Sequence, residues 1–528
     1  MKKLLCLCLI ACMLCGCLVA CNGDGNNDQN DGGDKNGDWA NLDFENATLT
    51  VSVSKNQPRE TTFQASSVYM KGPDNAATSE PVQKKVLARN KKVAEDLNIQ
   101  IAYQETNWKY SEILPHLEKL VAGDADDAPD VYNNDMYAMF RAMMSGYLWN
   151  VTNPGKDAKG NEVKSYFELD SECWYQEYMQ GATFSKDKMY ILVGDYNIDI
   201  IRWAWVFFVN IDLWDATFGN LSEEDGWGFS DYESACEFIV DTEDWFYDDL
   251  INLASMAHRD GAGGVQDKTD ENDDQIGLAH NACSSRLFTY GSGHSIFEWT
   301  KNGKAAKECE GVPSMITDTT DLVNVGLKFT ELYNTKGVYH FTEERENSNL
   351  DTVQHFMKGK TIMATAALGE MESEQMRNTK FKRGILPYPR YSRDIEHLTT
   401  IVHDQAEVSV ILNNAKSFSM ASAYLQYVNE ESTEILNFYY DEVLKFKYNE
   451  SRGARNMIDL IIGNVTTPFE ALMNLYLFDE AGVPSLLHTF AKDAKNNSGT
   501  TIRSTYDAAR DVLQTELENL YTKFQGLE

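Results

Sequence analysis

The chain has 528 residues, with 47 Lys+Arg against 81 Asp+Glu and a formal net charge of -34, so it is long enough for two or three cores of ~100–200 residues each. That charge repels nucleic acid and anionic lipid, which excludes DNA and RNA as partners. It reads as the solvated acidic surface of an exported protein.

The first residues form a targeting segment. Met1, Lys2 and Lys3 supply a positive n-region, residues 4–14 an apolar h-region interrupted only by cysteines, and Leu18-Val19-Ala20-Cys21 a small-residue cleavage site. The last four residues resemble the lipobox of bacterial lipoproteins. That resemblance implies removal of residues 1–20 as a signal peptide, diacylation of the Cys21 thiol, and a lipid-anchored location at the cell membrane on its extracytoplasmic side. Cys17, after Leu14-Cys15-Gly16, is a weaker candidate. Six of the ten cysteines lie at or before Cys21. The others, Cys173, Cys236, Cys283 and Cys309, show no CxxC spacing and read as buried free thiols rather than a zinc site or a disulfide framework.

Residues 22–38 are almost entirely Asn, Gly and Asp, a composition that cannot bury enough apolar area to offset chain entropy. Residues 21–44 are therefore expected to be a flexible tether. Leu49-Thr50-Val51-Ser52-Val53 then alternates as a first strand. Val82, Val86, Val93 and Leu97 fall on one helical face, Asn98 can stop that helix, and residues 99–103 alternate again, which makes a βαβ unit. A second helical pattern (Ile113, Leu117, Leu120, Val121) stops at Gly123. Residues 129–135 give a short strand with a polar end, and Tyr137, Phe140, Met144 and Leu148 mark another helix. Such alternation predicts an α/β domain whose strand ends line a crevice.

Residues 188–215 look like a joint between two domains. Two buried strands meeting at a polar joint are predicted: a short apolar run over 189–193, which breaks at Gly194-Asp195, and a second run over 200–209, rich in β-branched and aromatic residues. Arg202 interrupts it, and its apolar part is far shorter than the ~20 residues that span a bilayer. Beyond it helices are predicted near 231–240, 250–258, 322–332 and 353–357, with strands at 275–279, 361–365, 384–389 and 407–412. A helix follows over 419–428. Ile502, Tyr506, Ala509, Leu513, Leu517, Leu520 and Phe524 share one face of a closing amphipathic helix.

Four segments carry a resemblance to a known family. Ala128-Pro129-Asp130-Val131-Tyr132 follows a helix ending in Ala122-Gly123-Asp124; residues 209–214 read Val-Asn-Ile-Asp-Leu-Trp; residues 356–363 read Phe-Met-Lys-Gly-Lys-Thr-Ile-Met; and residues 381–389 end in Ile-Leu-Pro-Tyr-Pro. In this order the chain resembles the family 1 extracellular solute-binding proteins of carbohydrate ABC importers. The resemblance spans most of residues 48–430 and fades over 440–528. It implies a periplasmic-binding-protein-like α/β fold, two lobes joined by crossing hinge strands that close on a ligand. Residues 45–197 plus 405–450 would form lobe one and 198–404 plus 451–528 lobe two, with crossings near 195–199, near 403–406 and after Lys447.

By the same resemblance, ligand-binding residues are expected at Lys55, Asn134, Asp135, Arg202, Trp203, Arg286, Tyr290 and Glu370. A sugar offers hydroxyls and apolar C–H faces, so rings to stack on and paired polar groups are the matching chemistry. The implied partners are a carbohydrate and ABC permease subunits, with the protein a monomer. No cofactor is expected and no catalysis is required. The rival readings are an extracellular glycosidase or lyase, which needs two placed carboxylates, and a glycan sensor or adhesin outside transport.

Other motifs fall short. Asp270, Asn272 and Asp274, with Asp267 nearby, resemble the start of a calcium loop, but Gln275 stands at the turn glycine and Asn281 at the bidentate Glu. Gly359-Lys360-Thr361 is like a P-loop end, yet Gln354 replaces the first glycine and a helix precedes it, so it reads as a helix stop. No HExxH or GxSxG occurs in the sequence.

Overall fold

Strand alternation and helix termination build the first unit. In β1, Ala47–Ser54, the side chains of Leu49, Val51 and Val53 are buried, the period-two pattern of a strand with a core face. The helix Pro81–Asp96 opens on proline, whose fixed φ suits a first turn, and buries Val82, Val86 and Val93. Asn98, at φ 47°, turns the chain into β2, Ile99–Thr106. The chain continues with β3, Val131–Asp135; β4, Trp205–Asn210; β5, Ile276–Asn281; β6, Phe297–Lys301; β7, Lys304–Ala305; β8, Val312–Met315; β9, Val338–Phe341; β10, Thr361–Ala367; β11, Arg383–Leu386; and β12, Glu407–Val410.

The structure, a computed structural model, describes residues 39–55, 65–74, 80–108, 110–123, 128–156, 162–219, 229, 231–261, 269–270, 272–281, 284–341, 348–447, 451–483, 494 and 501–527. The signal peptide, Cys21, the tether through residue 38, Asp267, Cys283 and the crossing placed after Lys447 lie outside the described residues.

Residues 40–528 form one compact unit that contains two separate α/β sheets. The first has the order β12-β3-β1-β2, with β1 parallel to both β2 and β3 and β12 antiparallel to β3. The second has the order β11-β4-β10-β5-β9, with β10, β5 and β9 parallel and β4 antiparallel to its neighbours. All residues of β4, β5 and β10 are buried, as strands covered on both faces must be. A small antiparallel sheet, β7-β6-β8, was not foreseen. Its hairpin turns at Asn302-Gly303, with φ 54° and 71°, the Asn-Gly signature of a tight turn.

The central joint differs from the expected pair of strands. Residues 189–193 form no regular strand: Leu192 makes an isolated bridge to Ser409, Met189 O accepts from Val151 N at 2.8 Å and Val193 O from Tyr175 N at 3.0 Å, and Asp199–Arg202 is a helical turn. Asp199 N donates to Asn197 Oδ1 at 3.1 Å, and the turn places Asp199 and Arg202 side by side for an ion pair at 2.8 Å. The strand begins only at Trp205. Gly194 is required here because a Cβ would lie 2.5 Å from the Asn429 amide and 2.6 Å from Cys173 O. Two segments run antiparallel between the sheets, bridged at Leu192–Ser409 and at Ala204–Val402, with Trp205 N donating to Ile401 O at 3.0 Å.

The expected helix stop at Gly359 is present: the Ser348–Met357 helix ends, Gly359 takes φ 80°, and β10 begins at Thr361. The closing helix Thr501–Gln525 buries Ile502, Tyr506, Leu513, Leu517, Leu520 and Phe524 and packs on β8 and the Thr320–Asn334 helix. Cys173, Cys236 and Cys309 are free and buried. No described helix is long and apolar enough to cross a membrane.

Candidate ligand-binding cleft

In open α/β sheets ligands bind beyond the carboxyl ends of parallel strands. Here the segments after β1 and β3 of one sheet meet those after β5 and β10 of the other. Two polar clusters mark the meeting.

The first is centred on Arg202, which is fully buried. Its Nη1 donates to Asp199 Oδ1 at 2.8 Å and its Nε to Glu372 Oε1 at 3.1 Å, and its guanidinium lies 4.8 Å over the Tyr69 ring. Tyr69 donates to Glu372 Oε2 at 3.3 Å and Tyr439 to Glu372 Oε1 at 2.5 Å. Ser66 donates to Asp199. Burial opposes the charge on Arg202, but Glu372 and Asp199 outweigh it and hold the guanidinium above its ordinary pKa. Glu407, whose main-chain N–H bonds Asp199 at 3.1 Å, is pushed well up by burial and by the Asp199 charge.

The second cluster is built on Asp135 and on His403-Asp404. Asp135 caps the Met136–Met144 helix, accepting from Ala138 N at 2.8 Å. Burial, with the Asp404 charge nearby, raises its pKa to about 7. Asp404 is also buried, yet His403, 2.7 Å away, and Arg286, 3.9 Å away, overcome that penalty and hold it at about 2. Two neighbouring carboxylates thus differ in charge at neutral pH. His403 packs on Trp203 and Trp205, with ring centroids 5.1 and 5.7 Å apart. Tyr290 is 7% exposed and its hydroxyl has no hydrogen-bond partner.

Of the sequence-predicted residues, Asp135, Trp203, Arg286 and Tyr290 belong to the second cluster and Arg202 to the first. Asn134 is buried beside Asp135 and accepts from its N–H at 2.9 Å. Glu370 is buried in the 3-10 turn Leu368–Glu372 after β10, but it is Glu372 that reaches Arg202. Lys55 stands apart: its side chain is 56% exposed and pairs with Glu105 at 2.6 Å. Sequence reasoning missed Ser66, Tyr69, Glu372, His403, Asp404 and Tyr439. The signal available was the Asp199–Arg202 spacing, one helical turn apart inside an apolar run.

Among the described residues, His258, Asp260 and Asp274 bring ligand atoms within 4.8 Å of one another. The protein itself satisfies them: Asp260 bonds His258 at 3.0 Å and Lys336 at 3.2 Å, and Asp274 accepts from the N–H groups of Gly261 and Asp270 at 2.9 and 2.8 Å.

The two sheets, their connections and the clustered polar residues between them define a periplasmic-binding-protein-like fold of two α/β lobes joined by crossing strands. Solved structures share it. The galacto-N-biose/lacto-N-biose I-binding protein of an ABC transporter from Bifidobacterium longum, in complex with lacto-N-biose, aligns over 90% of this chain and 98% of its own at TM-score 0.53 and 13% identity. The maltose-binding periplasmic protein of Listeria monocytogenes, in complex with maltose, covers 90% and 98% at TM-score 0.52 and 16% identity. The cyclic alpha-maltosyl-1,6-maltose binding protein of Arthrobacter globiformis covers 89% and 99% at TM-score 0.52 and 12% identity. No family model and no curated protein sequence matches the chain.

Proposed function

We propose that this protein is an extracytoplasmic solute-binding protein that captures a carbohydrate, specifically an oligosaccharide, between its lobes and hands it to an ABC permease without altering it. Lobe one would comprise residues 45–197 and 405–450, and lobe two 198–404 and 451–528. Cys21 would carry the lipid anchor and residues 21–44 the tether, and the protein would act as a monomer. Lys55, Asn134, Asp135, Arg202, Trp203, Arg286, Tyr290 and Glu370 remain the proposed ligand contacts.

The observation that carries this reading is contact across the strand ends: Tyr69 with Glu372 at 3.3 Å, and Ser66 with Asp199. Groups from both sheets meet where a guest would displace or join them, and closure around it would present the permease with a distinct shape. The sugar-binding names of the like-folded proteins support the ligand class. Calorimetry and intrinsic fluorescence against a panel of neutral oligosaccharides test it: saturable binding of at least one is expected, and silence across the panel overturns the sugar assignment.

One observation favours a glycosidase instead. Asp135, at about 7, beside Asp404, at about 2, has the divided acidities of an acid and its ionised partner. Reducing ends released on incubation with the same panel would support that second reading.

A further inference from the structure

Beside the second crossing, a cavity of about 50 Å³ is lined by Tyr178, Tyr290, Glu308, Val402, Thr467 and Glu470, among others. A single water needs roughly 10–15 Å³, so there is room for an ion with waters or for a small charged group. The lining is oxygen-rich and acidic. Glu308 accepts from Thr467 Oγ1 at 2.5 Å, and Glu470, in the first turn of the Phe469–Glu480 helix, accepts from Ser295 Oγ and, at 3.2 Å, from Ile296 N. Among the described residues no basic side chain forms an ion pair with either carboxylate; Lys186, whose charge reaches Glu308, is held by Glu310 at 2.8 Å.

Burial raises the pKa of both carboxyls, that of Glu470 to about 7, so ionising the pair in this cavity is costly unless a cation enters with it. A second feature points the same way. The buried Tyr290 hydroxyl lacks a hydrogen-bond partner although it lines this cavity within electrostatic reach of Glu470. Two carboxylates, a phenol and a threonine hydroxyl are the hard oxygen donors that cations such as Ca2+ and alkylammonium groups prefer.

We infer that the cavity formed by Tyr290, Glu308, Thr467 and Glu470 is a subsite for a small hard cation, either a free metal ion or the ammonium of an amine-bearing guest. The ammonium source rests on the carbohydrate-capture reading; the metal source does not.

The test uses full-length mature protein, freed of metal with chelator, at pH 7.5. Thermal unfolding and calorimetry are followed during titration with CaCl2, with fully deacetylated chitotriose and with its N-acetylated counterpart. A saturable response to CaCl2 identifies a metal site, and tighter binding of the deacetylated trimer identifies an ammonium subsite. Either response should weaken at least tenfold in Glu470→Gln and about threefold in Tyr290→Phe; Glu308→Gln replaces the former if it fails to fold. No response to either cation in the wild type, or a response unchanged in both glutamine variants, overturns the inference. Neutral glycans binding without any cation effect would leave carbohydrate capture standing and this subsite refuted. A Glu470-dependent CaCl2 response with no glycan bound would do the reverse.

Discussion

Arg202 Nε lies 3.1 Å from Glu372 Oε1, with the arginine side chain at 0% exposure and the glutamate at 9%. The contact ties the helical turn at the first crossing to the turn that follows β10, and Asp199 completes it from the other side. Removing the arginine leaves two buried carboxylates facing each other. Arg202→Met should therefore cost roughly 3–5 kcal/mol, the usual penalty for orphaning a buried ion pair. Urea unfolding followed by tryptophan fluorescence measures it. Arg202→Lys keeps the charge but loses the fork and the stacking on Tyr69, and should fall between wild type and Met.

Asp135 should impose a pH dependence. Its folded pKa of about 7 lies above the unfolded value of about 4, so between those pH values the native state holds a proton that the unfolded state has released. Its stabilising contribution is complete below about pH 4 and is lost as pH rises through 7. Asp135→Asn keeps a good helix cap and removes the titration. The difference in melting temperature between variant and wild type should grow by a few degrees in favour of the variant from pH 5 to pH 8. A constant difference would contradict the assignment.

Asp404 works in the opposite sense. Held at about 2 by His403 and Arg286 against its burial, it contributes stability above its unfolded pKa and loses it as pH falls through 2. Asp404→Asn should lose stability at pH 7 and converge on the wild type near pH 2, as read by acid unfolding.

Arg286 is half-buried and lies 3.9 Å from Asp404. Arg286→Ala should weaken oligosaccharide binding about tenfold or more, the loss of a charge-assisted hydrogen bond at roughly 1.5–3 kcal/mol, and should also lower the melting temperature, because it withdraws part of what keeps the buried Asp404 ionised. Calorimetry paired with thermal unfolding separates the two effects.

The buried thiols give a check on packing. Burial raises the pKa values of Cys173, Cys236 and Cys309, which suppresses the reactive thiolate. In a Cys283→Ser background of the chain after residue 21, a thiol reagent should label these three only on unfolding.

Much of the fold was legible because it rests on local rules. Alternation at Leu49, Val51 and Val53, the helix face of Val82, Val86 and Val93, the stop at Asn98 and the amphipathic stripe from Ile502 to Phe524 depend on neighbours three or four residues away or fewer. The Asn302-Gly303 hairpin was equally local, but its strands are short: only Phe297 and Trp299 carry the alternation before the turn, and the two residues after it are exposed.

What the sequence alone determined is therefore the alternation of strands and helices, the acidic surface and the short runs that resemble one family. Only the tertiary structure decided that Ser66, Tyr69, Arg202, Glu372 and Tyr439 form one cluster, since Ser66 and Tyr439 sit hundreds of positions apart and neither carries a local signature. It also decided that Asp135 and Asp404 titrate several units apart. Periodicity reports which face of an element is buried, whereas the charge on a carboxylate depends on which other groups are brought beside it once water has been excluded.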